Sequence, residues 1–297
     1  MLWKGMVEEI MADLLLFVEP EIGKELDLER GFEYLDKELA ELYPEPERPA
    51  NTRIVDKLVK AFLRDGSERW MLLHLEIQGK NDKGFARRMF EYYIRVFSKH
   101  DRPVAAIAVL TGKSGNKMPA AFEDRCLWMR ARYEYKTLCI TDYTDEELKA
   151  SMNPFAVVML VAKEELLRFK GTDEDRDNAL LNRKILLVKL LKERLAVFGE
   201  RKTRAILIFL NNYVVFKNPK TSRNFMKQTD QILGKSNTMG IVEQLAEIKH
   251  QEGIQEGLEK AVRGLVANTD LSSPKIAEAV GVPVSLVRKI KKELNGK

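Results

Sequence analysis

The stretch "LLHLEIQGKNDKG", residues 72–84, decides how this chain is read. Strand alternation places His74, Glu76 and Gln78 on one face, with Leu73, Leu75 and Ile77 on the other. A carboxylate and an amide inside the most strand-like run of the chain either meet water or hold something. Upstream, "TRIVDKLVKAFL" (52–63) is a second strand-like run, and "RDGSE" (64–68) lies between the two. Asp-Gly between extended runs predicts a β-hairpin. A three-residue loop at 65–67 would set Asp56 directly opposite Glu76, with Cβ atoms roughly 4.5–5.5 Å apart. A one-residue slip would move the two to opposite faces.

Two opposed carboxylates repel unless a cation lies between them. A hard divalent ion, Mg²⁺ or in its place Mn²⁺ or Ca²⁺, takes oxygen ligands of this kind, and the carbonyl of Ile77 would add another. Such an ion activates a water and neutralises charge on a phosphodiester. The competing reading is a strand whose polar face is solvated. Asp56 interrupting "IVDKLV" and Glu76 within an apolar run both argue against it. His74 shares the face of Glu76 and reads as a packed or solvated imidazole rather than an accessory base.

The 297 residues are 45% hydrophobic and 32% charged, which excludes a disordered or fibrous chain. Fifty basic against 45 acidic residues give +5, compatible with a nucleic-acid partner without requiring one. Cys126 and Cys139 have no metal-type spacing and read as two buried thiols in a reducing cytoplasm. Glu8, Glu9 and Asp13 interrupt the N-terminal apolar stretch, so neither a signal peptide nor a membrane span is expected there. A cytoplasmic protein that does not engage membranes is the expectation.

Around the hairpin, "MVEEIMADLLLFVEPEIG" (6–23) reads as one amphipathic helix stopped near Pro20, and a second is expected at about 34–43. "KGFARRMFEYYIRVFSKH" (83–100) has Phe85, Met89, Tyr93, Val96 and Phe97 at helical spacing. "PVAAIAVLTG" (103–112) reads as a strand buried on both faces, and "YKTLCITDYT" (135–144) as another. From about 145 the pattern is helical with heavily charged outer faces, then a polar loop near 217–238 and a long helix at about 239–267. The expected organisation is an α/β core at 1–145, a helical extension at 146–238, and a long helix with a helix-turn-helix-like tail at 239–297.

Residues 55–97 resemble the Rpn family of recombination-promoting nucleases, also described as YhgA-like transposases, of the PD-(D/E)xK nuclease superfamily. The family pattern is an Asp on one strand, Glu-x-Gln at the end of the next, then a helix carrying an Arg-Met-Phe-x-Tyr-like stretch. Asp56, Glu76–Ile77–Gln78 and Arg88–Met89–Phe90 match in that order, and "EYLDKEL" (33–39) and "HQEGIQEGLEK" (250–260) are similar as well. The resemblance implies a restriction-endonuclease-like core with a mixed central sheet flanked by helices, and a metal-dependent DNA endonuclease linked to recombination or mobile elements. Asp56 and Glu76 would ligate the metal. Gln78 stands where most of the superfamily has a lysine; an amide orients water but supplies no positive charge. Lys80 would offer an amine nearby, and Glu38 matches a further acidic position of some members. Arg88 and Tyr92, one helical turn apart, would contact phosphate and support the site, or form a core tyrosine under a snorkelling arginine.

In the tail, Pro274 suits a helix's first turn, Ile276, Ala277 and Val280 form an apolar stripe, and Gly281 marks a turn. Val287, Ile290 and Leu294 pack the next helix, which carries Arg288, Lys289, Lys291 and Lys292 as a groove reader would. Gly253, Gly257, Ala261 and Gly264 read either as a close helix contact, as in a homodimer, or as a loosely held connector. A DNA-binding or assembly protein on a catalytically degraded nuclease fold is the alternative to an enzyme. A transposase of the ribonuclease type would need a further acid downstream, and none stands out at 120–220.

Overall fold

The hairpin is the centre of the sheet. In the computed structural model, residues 2–37, 39, 53–77, 84–113, 118–167, 171–234, 257–269 and 271–295 are described, with the backbone alone at 53–56, 75–77 and 292–295. The chain divides into a unit of residues 1–237 and a unit of residues 238–297.

Strands β2 (Arg53–Phe62) and β3 (Glu68–Ile77) form the antiparallel hairpin, with β1 (Phe32–Tyr34) antiparallel on the outer edge of β2. Helix α3 (Phe85–His100) connects β3 to β4 (Val104–Leu110), which runs parallel to β3, and β7 (Lys136–Cys139) continues the parallel half. The order is β1-β2-β3-β4-β7, a mixed five-stranded sheet flanked by helices. A separate two-stranded ribbon, β5 (Ala121–Cys126) with β6 (Met129–Glu134), is inserted between β4 and β7, and it leaves Cys126 exposed at its end, not buried as expected, while Cys139 on β7 is buried.

Alternation assigns the two faces. Leu58, Leu72, Ala106 and Ala108 pack with Phe85, Met89, Tyr92 and Val96, so α3 covers the face that also carries positions 56, 74 and 76. The buried stripe of α3 runs through Tyr92; Tyr93 is only partly buried and Phe97 is 43% exposed, shifting the apolar face from the one expected. On the reverse face lies Lys57, fully buried. Its amine pairs with Glu8 of α1 (Leu2–Glu9) and with Asp36 at 3.1 Å, and stands 4.6 Å from the Tyr34 ring centroid.

Several elements differ from the sequence reading. The N-terminal segment is two helices, α1 and α2 (Met11–Val18), because Ile10 leaves helical geometry at φ −124° and ψ 24°. Residues 32–34 satisfy the open edge of β2 as a strand, so helical structure begins only at Asp36. Thr144 caps α4 (Asp145–Ala150) in a reciprocal box with Glu147. Helix α5 (Pro154–Glu164) has no charged outer face: nearly every residue is buried, including Glu164, which Arg183 neutralises at 2.6 Å. Helices α6 (Asp173–Glu193) and α7 (Leu195–Tyr213) follow, with Gly199 taking φ 75° at a kink in α7. The expected polar loop contains α8 (Pro219–Leu233), capped by Asn218 and buried only along Phe225, Thr229 and Leu233. So narrow a stripe is masked by polar neighbours in the sequence.

In the second unit, helix α9 at 257–268 packs with α10 (Ser273–Val280) and α11 (Val284–Asn295) around Val262, Ile276, Ala277, Val287 and Ile290. Gly281 ends α10 in the left-handed region at φ 72°, where glycine alone is unstrained. Added Cβ atoms at Gly257 and Gly264 meet nothing within 4 Å, so among the described residues of this unit these glycines make no close helix contact.

Candidate active site

The β2–β3 register places Asp56 opposite His74 and Glu76 opposite Ile54. The two acidic positions are therefore not directly opposed, as the sequence had suggested. The cause is the turn. Gly66, at φ 83°, is the last loop residue rather than the centre, and the Leu63 amide donates to the Ser67 carbonyl oxygen at 2.8 Å. The loop is thus 64–66, with the Asp65 carboxylate accepting from the amide and hydroxyl of Ser67. A shift of two positions preserves the face. Asp56 and Glu76 become diagonal neighbours on it, a relationship that typically spans roughly 7–8 Å.

Two carboxylates from these positions, with the carbonyl of Ile77, would make a set of hard oxygen donors of the kind Mg²⁺ or Mn²⁺ takes. Glu76 is also level with Leu110, at the carboxyl ends of the parallel strands β3 and β4, where open α/β sheets commonly receive ligands. The side chains of Asp56, Glu76, Ile77 and Lys292 lie outside the described residues, as do Glu38, Gln78 and Lys80 altogether. Among the described residues, no three His, Cys, Asp or Glu side chains converge as a metal site.

His74 is fully buried, its ring 5.2 Å from that of Phe85 and 6.3 Å from that of Tyr92. It is a packed imidazole beneath α3. Tyr92 is 2% exposed, which makes it a core tyrosine rather than a surface phosphate contact. Arg88 is half-buried with its guanidinium 5.6 Å from the Phe85 ring. Burial pushes the nearby Tyr135 phenol well above its ordinary range, and the Arg88 charge opposes that shift. Arg88 and Tyr92 thus brace the α3-covered face from its helix side.

In the second unit, Arg288 and Lys289 are exposed on α11, while the Lys291 ammonium donates to the Leu271 carbonyl oxygen at 2.8 Å. The lysine expected to join the charged face is used to tie the helix down.

One group of residues escapes the sequence reading. The β5–β6 ribbon turns at Leu127–Trp128, which are 85% and 92% exposed, with Met129 51% exposed beside them. The signal is present in "RCLWMR" (125–130), where a two-residue turn is built from large apolar side chains between arginines.

No family model, curated protein or solved structure matches this chain.

Proposed function

We propose that the chain is a divalent-metal-dependent DNA endonuclease with a restriction-endonuclease-like core. The observation that carries this reading is the pairing of β2 with β3, which keeps Asp56 and Glu76 on one face as diagonal neighbours at the end of β3. The order of parts also supports it: an acidic position on one strand, Glu-x-Gln at the end of the next, then the helix bearing Arg88–Met89–Phe90.

Asp56 and Glu76, with the Ile77 carbonyl, would hold Mg²⁺ or Mn²⁺. When bound, the ion lowers the pKa of a coordinated water and offsets charge on the scissile phosphate. Gln78 orients the attacking water by accepting and donating hydrogen bonds, and Lys80 lies two residues on as a source of positive charge. Exposed Arg288 and Lys289 on α11, with Lys292, supply phosphate contacts from the second unit.

That unit also favours the second reading, a DNA-binding protein whose core has lost catalysis, because its basic helix needs no metal. Supercoiled plasmid with Mg²⁺, Mn²⁺ or EDTA separates the two, using wild type beside Asp56→Ala and Glu76→Ala. The nuclease reading expects metal-dependent nicking reduced by at least about 100-fold in both variants, on the scale of losing a catalytic group. Intact plasmid with folded wild type and every metal would set that reading aside.

A further inference from the structure

We infer that the β5–β6 ribbon is a DNA-engaging arm whose Leu127–Trp128 tip inserts into, or stacks against, the bases of a duplex. The inference rests on the reading of this chain as a DNA-acting protein, and it assigns to that activity a substrate-gripping element outside the carboxylate site.

The tip breaks the rules for a two-residue hairpin turn. Such turns favour Asn, Asp or Gly because φ must be positive. Here Leu127 takes φ 52°, and the residue that follows is a tryptophan almost wholly in solvent. Large apolar side chains held in strained backbone, with no packing to compensate, mark a functional site rather than a structural one.

The base of the ribbon is firmly seated. Phe122 stacks on Phe90 with ring centroids 4.4 Å apart and planes 15° from parallel, and Tyr133 stacks on Tyr93 at 4.7 Å. The arm is thereby fixed to α3, the helix that covers the face carrying Asp56 and Glu76.

Charge selects the occupant. Arg125 and Arg130 are opposed in the ladder immediately behind the tip, a pairing that repels unless an anion is shared. Both approach the Glu123 carboxylate, at 4.0 and 3.3 Å, but Arg132 holds it more closely at 2.6 Å. Arg132 is also held by Glu134, so three guanidiniums meet two carboxylates on this face and one positive charge is in excess, with Arg125 and Arg130 nearest the tip and Asp124 on the other face. Guanidinium forks match phosphate geometry, and a two-stranded ribbon fits a DNA groove with an apolar wedge between base steps. A second protein chain would satisfy the apolar tip but would offer the opposed arginines no phosphate; a bilayer offers headgroup phosphates but no groove shaped to a two-stranded ribbon, and the vesicle arm of the test separates the two.

The test is binding of a fluorescein-labelled DNA duplex in EDTA, where cleavage is silent, followed by anisotropy. It compares wild type with Trp128→Ala, Trp128→Phe and the Arg125→Ala/Arg130→Ala double variant, each also carried in an Arg288→Ala/Lys289→Ala background so that the second unit does not mask the effect. Trp128→Ala is expected to weaken binding at least about fivefold and Trp128→Phe to retain most of it. The double arginine variant is expected to flatten the salt dependence by about two phosphate contacts.

Amide exchange across β5 and β6 checks that each variant keeps the ribbon. Unchanged duplex affinity in Trp128→Ala would overturn the inference. So would Trp128-dependent binding to phosphatidylserine vesicles but not to DNA, or a Trp128 effect confined to sedimentation mass. Plasmid nicking with unchanged Trp128→Ala affinity removes the arm and keeps the nuclease; Trp128-dependent binding without nicking does the reverse.

Discussion

Asp56 pairs with His74 across the β2–β3 ladder, so the acidic position faces a fully buried imidazole rather than the second acidic position. The Glu76 position lies one diagonal step away on the same face.

His74 packs between Phe85 and Tyr92, so its removal acts first on packing. His74→Ala is expected to cost about 2–4 kcal/mol by opening a cavity beneath α3. Chemical denaturation reads this as a lower midpoint with little change in slope. A variant as stable as wild type would show that the ring is not a packing element.

Lys57 joins β2 to α1 and to Asp36 from the reverse face of the sheet. Lys57→Met leaves two carboxylates short of a cation, Asp36 keeping, among the described residues, Lys4 at 2.6 Å. A loss of about 2 kcal/mol at neutral pH is expected. Burial acts to raise the Asp36 carboxyl, but Lys4 and Lys57 hold it below its ordinary value. A depressed carboxylate pKa gives stability that is present above the unfolded value and lost as pH falls. The gap between wild type and Lys57→Met should therefore narrow in acid, and a thermal melt series down to pH 3 checks it.

Burial pulls the Lys184 ammonium down to about 7, with Phe216 and Phe225 rings at 4.7 and 5.2 Å. Between that value and the ordinary lysine value of 10.5 the unfolded chain binds the extra proton, so stability rises with pH. The gain approaches about 1.4 kcal/mol per pH unit. Cys139, pushed up to about 11 by burial and Asp142, works the other way above its ordinary value of 9.0, so the clean window is pH 7–9. Lys184→Met should be more stable than wild type at pH 7 and should lose the rise. Parallel melting curves for the two proteins with equal slopes against pH would refute this.

Leu127 holds a left-handed conformation that costs roughly 1–2 kcal/mol for a side-chain-bearing residue. Because its side chain is 85% exposed, Leu127→Gly gives up almost no burial. Amide exchange in β5 and β6 should slow by about fivefold, the local equivalent of 1 kcal/mol. Faster exchange would mean that the leucine stabilises the turn.

The central elements were legible in the sequence because their causes are local. Alternation around His74 and Glu76, Asp-Gly at 65–66 and the helical spacing after Gly84 specify the hairpin, α3 and β4 within a few residues. Pro274 and Gly281 do the same for α10 and its turn. The face shared by Asp56 and Glu76 was also legible, since parity survives any even shift of register.

The register itself was not, because a loop's length is set by which of its residues takes positive φ, and Gly66 can serve at the centre or the end. Neither was β1: Phe32–Tyr34 becomes a strand because an open edge of β2 is there to receive it. Tertiary packing alone placed α5 wholly inside and revealed α8, whose three buried residues give too weak a period to read. The exposed tip at Trp128 follows the same rule. Sequence determined which side chains alternate together; only the folded chain decided what covers each of them, because burial depends on neighbours distant along the chain.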